Sequence, residues 1–280
     1  MTLFTPVVLN ATPEVLIRPA LHPGIVKMYE TFFTPPKVDV SDADIAFLNT
    51  ATQTSLPFGE IDLTVSSWGA GPTVLLVHGW GGSRAQLRGF VPPLVEAGFR
   101  VVAFDFPAHG DTPGQTTNVL EMAAVLKTVD EYEGPCHAIV AHSFGTLATS
   151  YALVNNPEIH PSRLVYFGAL NRLMDTFPRF QAMSGLNDKL MAGLTTAIED
   201  TFGRELLASI TNESLAPQLD IPALMFHDEQ DPVTPVEDSQ DVARAWPMAN
   251  LTITRGLGHR RALHNEQIIR KTVEFICKDW

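Results

Sequence analysis

A serine in the stretch Ala141-His142-Ser143-Phe144-Gly145 has the surroundings of a nucleophile. It follows the apolar run HAIV, which predicts a buried strand, and it precedes GTLATSYALV, which predicts a helix. The backbone of a serine at such a sharp turn is strained, and the neighbours Ala141 and Gly145 are small enough to fit there. The helix that follows aims its free N–H groups at the same position. Ser143 is therefore a candidate nucleophile, and its hydroxyl requires a base.

A base and an acid each follow a later apolar run. His259 lies in the glycine-flanked loop GLGHRRAL after LTITR, and Asp231 lies in HDEQDPVTP after PALMF. Both positions follow predicted strand ends, where an open parallel sheet collects its catalytic groups. There His259 would take the proton of Ser143, and Asp231 would fix the imidazole tautomer and stabilise the imidazolium. Asp228 is the alternative acid, but Asp231 is preferred because it lies deeper in the loop, whereas Asp228 directly follows the strand.

The elements that must position these side chains are short apolar runs that alternate with segments of helical periodicity from Ile61 onward. Near-continuous apolar strands separated by helices indicate an α/β protein with a mainly parallel sheet. Residues 171–218 break the alternation, because they show helical patterns with no strand between them, which predicts an inserted helical cap. The first 55 or so residues are rich in Pro and Thr and contain one predicted helix, SDADIAFLNTATQ, capped by Ser41.

The order Ser143, Asp231, His259, together with LLVHGWGG and DFPAHGDTPG earlier in the chain, resembles the α/β-hydrolase superfamily. The resemblance covers about Ile61 to the end of the chain. It implies the α/β-hydrolase fold: a mostly parallel eight-stranded sheet flanked by helices, with a small helical cap inserted after the sixth strand. The predicted division of the chain is an amino-terminal extension packed on the core (1–55), the core itself (56–170 and 219–280) and the cap (171–218).

The same resemblance implies a Ser-Asp-His triad and an oxyanion hole. The oxyanion donors would be the backbone N–H groups of Trp80, in the HGW turn, and of Phe144, directly after the nucleophile. The chain departs from the superfamily at Ala141, where an elbow glycine is usual, and alanine is a tolerated small residue there. His142 is expected to turn away from the oxyanion site and to have a structural role.

Other groups near these motifs are interpreted as structural. His227 with Asp228 and Asp231 suggests a metal site, but the cluster lacks a third strong ligand at a suitable spacing. His109 and Asp105 are expected to shape the loop beside the site. The predicted chemistry therefore uses neither a metal nor a cofactor.

Composition disfavours several classes of protein. The 280-residue chain has a formal net charge of −12, which repels phosphate backbones and anionic lipids and argues against nucleic acid and membranes as partners. No stretch approaches the roughly 18 uninterrupted apolar residues of a membrane span. The opening MTLFTPVVLNATPEVLIRP lacks the features of a signal peptide, so a cytoplasmic location is expected. The two cysteines cannot form a disulfide framework, and the oligomeric state stays open.

The predicted activity is hydrolysis of a small-molecule carboxylic ester through an acyl-enzyme. A peptidase or amidase, an acyltransferase and a non-catalytic ligand-binding protein of the same fold are the alternatives. Some apolar residues of the cap are expected to face the pocket; they are Leu173, Met174, Phe177, Phe180, Met183, Leu190 and Met191. A small closed pocket favours acyl groups of small to medium size, roughly two to eight carbons.

Overall fold

The structure, a computed structural model that describes residues 23–278, is built on one eight-stranded sheet. Its strands lie in the spatial order β1-β2-β4-β3-β5-β6-β7-β8. β2 is antiparallel to both of its neighbours, and β3 to β8 are mutually parallel. The strands are β1 (Thr52–Phe58), β2 (Ile61–Trp68), β3 (Thr73–Val77), β4 (Arg100–Phe104), β5 (Cys136–His142), β6 (Arg163–Phe167), β7 (Ala223–Asp228) and β8 (Ala249–Thr254). The predicted mostly parallel α/β sheet is confirmed.

The central strands are apolar along their whole length because both faces of the sheet are covered. On β3, Val74 and Leu76 belong to the hydrophobic cluster on one face, and Leu75 and Val77 belong to the cluster on the other. All four side chains are buried. This alternation with a period of two residues places a helical layer on each side of the sheet.

Helices form these layers and the segment between β6 and β7. Side chains of α4, α5 and α10 enter one hydrophobic cluster, and those of α3 and α12 enter the other. The helices are α1 (Pro23–Phe33), α2 (Asp42–Leu48), α3 (Val91–Glu96), α4 (Val119–Glu133), α5 (Phe144–Asn155), α6 (Thr176–Ser184), α7 (Asp188–Phe202), α8 (Arg204–Ser209), α9 (Asn212–Leu215), α10 (Val236–Ala245), α11 (Gly258–Arg261) and α12 (Glu266–Ile276). Short 3₁₀ turns occupy Arg88–Phe90, Leu173–Asp175, Ala216–Gln218 and Ala262–His264.

The predicted helix SDADIAFLNTATQ is shorter than expected. Ser41 and Asp44 form a reciprocal capping box at its start, but the helix ends at Leu48. Thr52 and Gln53 belong instead to β1, an edge strand that the sequence analysis missed. Of its seven residues only Leu56 is buried, so β1 lacks the apolar run that marks the other strands.

Within the described residues, the segment between β6 and β7 contains helices α6 to α9 and no strand of the sheet. A single isolated bridge joins Arg172 to Thr211 across its base. The amino-terminal part contributes α1, which was not predicted and which packs against α7. Residues 1–22 of the predicted extension lie outside the described residues, and the division of the chain into extension, core and cap stays a prediction.

Candidate active site

Ser143 occupies a strained turn between β5 and α5. Its backbone has φ 54° and ψ −124°, a conformation that costs a non-glycine residue about 1–3 kcal/mol. A side-chain carbon at Gly145 would lie 2.4 Å from the carbonyl oxygen of His78, so only glycine fits two residues after the serine. Ala141, two residues before it, is fully buried. The glycine at position 145 is thus required by close contact between this turn and the loop after β3.

The structure brings Ser143, His259 and Asp231 into one hydrogen-bonded chain. His259 lies in α11, the short helix after β8, and its Nε2 atom lies 3.0 Å from the Oγ atom of Ser143. Its Nδ1 atom lies 2.6 Å from Oδ2 of Asp231, in the loop after β7. With a proton on Nδ1, the ring donates to the carboxylate and accepts from the serine hydroxyl. This is the tautomer that a general base for Ser143 requires.

The Asp231 carboxylate is held so that it stays charged. One oxygen accepts hydrogen bonds from the backbone N–H groups of Val233 (2.7 Å) and Thr234 (3.0 Å), and the other accepts from the Thr234 hydroxyl at 3.1 Å. Burial alone would raise the pKa of Asp231, but the bond to His259, the imidazole charge and these N–H groups outweigh it and lower that pKa to about 2. The side chain therefore presents a full negative charge to the imidazole.

Asp228, the alternative acid, serves a different purpose. Its carboxylate accepts hydrogen bonds from the Thr254 hydroxyl (2.8 Å) and from the backbone N–H groups of Leu257 (2.9 Å) and Gln230 (3.1 Å). These bonds join the loops after β7 and β8. Asp228 thus stabilises the loop that carries His259, whereas Asp231 contacts the imidazole itself.

The loop after β3 approaches the serine from the other side. A side-chain carbon at Gly79 would lie 2.9 Å from the Cβ atom of Ser143, so the backbone of this loop lies directly beside the nucleophile. Among the described residues, none accepts a hydrogen bond from the backbone N–H of Trp80 or of Phe144. Their two rings lie 5.4 Å apart. These are the two predicted oxyanion donors, and that role stays a prediction.

Two histidines that sequence analysis assigned no catalytic role fix the conformation of this loop. Nε2 of His78 accepts from the backbone N–H of Phe106 (3.2 Å), and its Nδ1 donates to the carbonyl of Gly79 (2.8 Å). Nε2 of His109 accepts from the backbone N–H of Gly81 at 3.0 Å. Burial lowers the pKa of His78 to about 4 and that of His109 to about 3, which keeps both rings neutral.

Arg84 adds a buried ionic link that the sequence analysis missed. Its backbone N–H donates to Oδ1 of Asp105 at 2.6 Å, and its guanidinium contacts the other carboxylate oxygen. The guanidinium also donates to Ser66 (3.0 Å) and Asp111 (2.6 Å). Asp105 and His109 both belong to the DFPAHGD motif, so this motif positions the HGWGG loop, as expected.

The His142 side chain contacts the backbone of the proposed base, His259. Its Nε2 atom lies 2.9 Å from the backbone carbonyl oxygen of His259, and the two rings lie 4.6 Å apart. Burial, followed by the nearby His259 charge, lowers the pKa of His142 to about 3. The neutral ring therefore donates to that carbonyl, a specific contact that the predicted structural role of His142 did not include.

A cavity of about 710 Å³ opens above Ser143. Four of the seven cap residues named above line it: Leu173, Phe177, Phe180 and Met183. Met174, Leu190 and Met191 do not line the cavity. Met174 and Met191 pack instead against the hydrophobic cluster that side chains of α4, α5 and α10 enter. Another part of the lining is formed by residues 31–37, which carried no catalytic or binding motif.

The described residues contain no group of three or more His, Cys, Asp and Glu side chains arranged to hold a metal ion. The His227 ring, considered above as a ligand, is bonded to Ser239 (2.6 Å) and to the carbonyl of Thr234 (2.9 Å). Within residues 23–278, no helix has the length and apolar character needed to cross a membrane.

Two curated relatives of the chain are esterases. A pimeloyl-[acyl-carrier protein] methyl ester esterase of Methylococcus capsulatus is 45% identical over 125 residues, which are 44% of each chain. The protein of that name from Aeromonas hydrophila is 29% identical over 150 residues, 51% of this chain and 54% of its own. The chain thus spans about half the length of the curated relatives it matches.

The fold also matches solved structures. An esterase from Pyrococcus furiosus has a TM-score of 0.64 at 20% identity, over 88% of this chain and 97% of that one. At this level of identity the likeness shows the shared fold. The sequence model of the Alpha/beta hydrolase family matches residues 74–271, well over half of the chain. The chain therefore belongs to the α/β hydrolase family.

Proposed function

We propose that this protein is a serine hydrolase that cleaves carboxylic esters through an acyl-enzyme intermediate. The observation that carries the proposal is the continuous chain from the Ser143 hydroxyl through His259 to Asp231, with distances of 3.0 and 2.6 Å, at the base of an apolar cavity. The partial matches to two methyl ester esterases support ester hydrolysis in preference to the other reactions of the fold.

In the acylation step, the Ser143 oxygen attacks the ester carbonyl while Nε2 of His259 takes its proton. The carbonyl oxygen becomes an oxyanion, which the N–H groups of Trp80 and Phe144 would bind. Because Asp231 is ionised, it stabilises the imidazolium that forms beside it. When the tetrahedral intermediate collapses, the C–O bond to the alcohol breaks, and His259 returns its proton to the departing oxygen.

In the deacylation step, His259 takes a proton from water, and the resulting hydroxide attacks the carbonyl of the acyl-Ser143 ester. The same two N–H groups bind the second oxyanion. Collapse of this intermediate releases the carboxylic acid, and the proton on His259 returns to the serine oxygen. Apart from the substrate and its products, every group named in the two steps belongs to this chain or is water.

The proposed substrate is a small-molecule ester with a short to medium acyl chain. Aromatic and aliphatic side chains from the cap and from residues 31–37 line the cavity. Each methylene buried against them contributes about 0.8 kcal/mol, or about fourfold in kcat/KM, until the cavity is filled. We propose an optimum between roughly two and eight acyl carbons. From the sequence we also propose a cytoplasmic location, with neither nucleic acid nor a membrane as partner.

The test is mass spectrometry after treatment with a fluorophosphonate, followed by kinetics on ester substrates. The wild type should gain the phosphonyl mass on the peptide that contains Ser143, and Ser143→Ala should lose both labelling and nearly all turnover. His259→Ala is the matched control, since it keeps the serine but removes its base. Ester turnover by Ser143→Ala within about tenfold of the wild type would contradict the proposal.

The same preparation distinguishes the alternative reactions. An amidase would hydrolyse anilides at rates comparable to esters, and an acyltransferase would pass the acyl group to an added alcohol in preference to water. A non-catalytic ligand-binding protein would leave the fluorophosphonate unreacted.

A further inference from the structure

One wall of the cavity comes from a part of the chain that the family match does not include. Residues 31–37 line the cavity together with the cap, whereas the family match begins at residue 74. This segment starts in the last turn of α1 and then continues without regular structure. The pocket of this protein is therefore partly built from sequence that lies outside the family match.

Aromatic contacts join this wall to the cap. The Phe32 ring lies 5.0 Å from that of Phe177 and 5.1 Å from that of Phe180, both on α6. The three rings line the cavity together. Next to them, the Phe33 ring lies 5.7 Å from that of Phe202 on α7. Edge-to-face and tilted pairs at these distances are favourable, so the rings are held in fixed positions around the space.

The backbone of the segment is anchored beside the HGWGG loop after β3, which carries the proposed oxyanion donor Trp80. The carbonyl of Phe33 accepts a hydrogen bond of 2.9 Å from the backbone N–H of Thr117, just before α4. Three residues later, Pro36 covers Gly81, where an added side-chain carbon would lie only 2.7 Å from the proline ring. The wall is thus fixed at two points within four residues.

The preceding helix fixes the other end of the segment. The Tyr29 hydroxyl lies 3.3 Å from that of Thr201 on α7. Ile25 fits against Gly193, where a side-chain carbon would lie 2.6 Å from its Cδ1 atom. Neither Tyr29 nor Ile25 lines the cavity. One side of α1 therefore holds the helix on the cap, while Phe32 and Phe33 extend from its end to the cavity.

We propose that Phe32 is a specificity-determining residue, whose ring limits the length of acyl chain that the cavity accepts. The ring lies beside those of Phe177 and Phe180 in the lining of the cavity, so its size contributes to the space that remains for the chain above Ser143. The inference rests on the proposed ester hydrolysis and adds to it the residue that selects the substrate. A smaller side chain at position 32 opens room for further methylenes, and a larger one removes it.

The experiment compares kcat/KM on p-nitrophenyl esters from acetate to dodecanoate for the wild type, Phe32→Ala and Phe32→Trp. Phe32→Ala should raise the ratio of decanoate to butanoate by about tenfold or more, since each added buried methylene is worth about fourfold. Phe32→Trp should lower the same ratio. Lys27→Ala is the matched control: it is an exposed position of the same helix that does not line the cavity, and it should leave the ratio unchanged. The ratio of decanoate to butanoate, measured within one preparation, does not depend on the fraction of enzyme that is folded. If Phe32→Ala does not fold, Phe32→Leu takes its place.

An unchanged chain-length profile in both Phe32 variants, with active wild type, would overturn the inference and leave the proposed function intact. Absence of ester turnover and of fluorophosphonate labelling in the wild type would overturn the proposed function instead. In that case calorimetric binding of octanoate, decanoate and dodecanoate to Ser143→Ala, with and without Phe32→Ala, tests the wall separately. Longer acids should bind more tightly when Phe32 is removed, and equal affinities would overturn the inference.

Discussion

Lowering the pH should destabilise this fold through the buried histidines that hold the HGWGG loop after β3, and His109 offers the sharpest test. Its Nε2 accepts the backbone N–H of Gly81 at 3.0 Å, and its Nδ1 donates to the carbonyl of Pro107 at 3.0 Å. Only the neutral ring can make both bonds, because a protonated Nε2 no longer accepts. Burial, with a smaller contribution from the charge of His78, lowers the pKa of His109 to about 3.

The sign and size of the effect follow from this pKa. The unfolded chain binds a proton near the ordinary histidine pKa of about 6.5, well before the folded protein does. The stability that neutral His109 contributes is therefore complete above about pH 6.5 and is lost as the pH falls toward about 3. At about pH 5 the loss amounts to about 2 kcal/mol, since one pH unit corresponds to about 1.4 kcal/mol for one proton. His78, whose pKa burial lowers to about 4, adds a similar amount.

The assay is urea unfolding of the wild type and His109→Gln between about pH 7.5 and pH 5. The glutamine oxygen can replace Nε2 as acceptor, so the variant should lose about 1 kcal/mol at the upper pH for the missing bond to Pro107. Between the two pH values, the wild type should lose about 2 kcal/mol more than the variant. His160→Gln, at an exposed position, controls for the removal of any imidazole.

Comparing two proteins also cancels the contribution of buried carboxyl groups. Burial raises the pKa of Asp105 and that of Asp238, and a raised carboxyl pKa makes the folded state gain stability on mild acidification. Both carboxyls are present in the wild type and in the variant. If the two stability curves run parallel between these pH values, the His109 ring does not stay neutral on folding and the reasoning is refuted.

Three further predictions concern the site. Asp231→Asn should lower kcat by about 10⁴, whereas Asp228→Asn should lower the melting temperature and leave most of kcat; the reverse pattern in enzyme assays and thermal melts would make Asp228 the acid. His142→Phe removes the donor to the carbonyl of His259 and should lower kcat by about tenfold at similar KM. The rate of fluorophosphonate labelling of Ser143 should fall with it, and an unchanged labelling rate would contradict this positioning role. Gly145→Ala forces a carbon to 2.4 Å from a neighbouring carbonyl and should destabilise the fold by about 1–3 kcal/mol or more, measured by urea unfolding.

The candidate site could be predicted because its residues are marked by local sequence and brought together by topology. Ser143 and His259 are 116 positions apart, yet each follows a parallel strand that ends at the same edge of the sheet. Once the apolar runs identify those strands, the side chains after them must converge. The preference for Asp231 over Asp228 rested on position in the loop alone, and the hydrogen bonds of both carboxylates support it.

The parts that sequence reasoning missed depend on contacts between distant segments. β1 is a polar edge strand that is stabilised by pairing with β2, so its own residues give no apolar signal. The run that forms α1, PGIVKMYETFF, is apolar enough for a helix, but nothing in it shows that its last residues reach the cavity. On α7, Ile198 and Phe202 line the cavity, whereas Met191 packs in the core, a choice that only the placement of the helix decides.

Residues 31–37 of the cavity wall contact the HGWGG loop at Gly81. Gly81 has φ 66° and donates its N–H to His109, while Pro36 covers the place where a side chain would project. The loop that carries the Trp80 N–H is therefore held by the DFPAHG motif on one side and by the amino-terminal wall on the other. A change at Phe32 that alters only the size of the cavity should act selectively on long acyl chains. A change that displaces Pro36 should instead lower kcat for every chain length, because it would move the backbone that is proposed to bind the oxyanion.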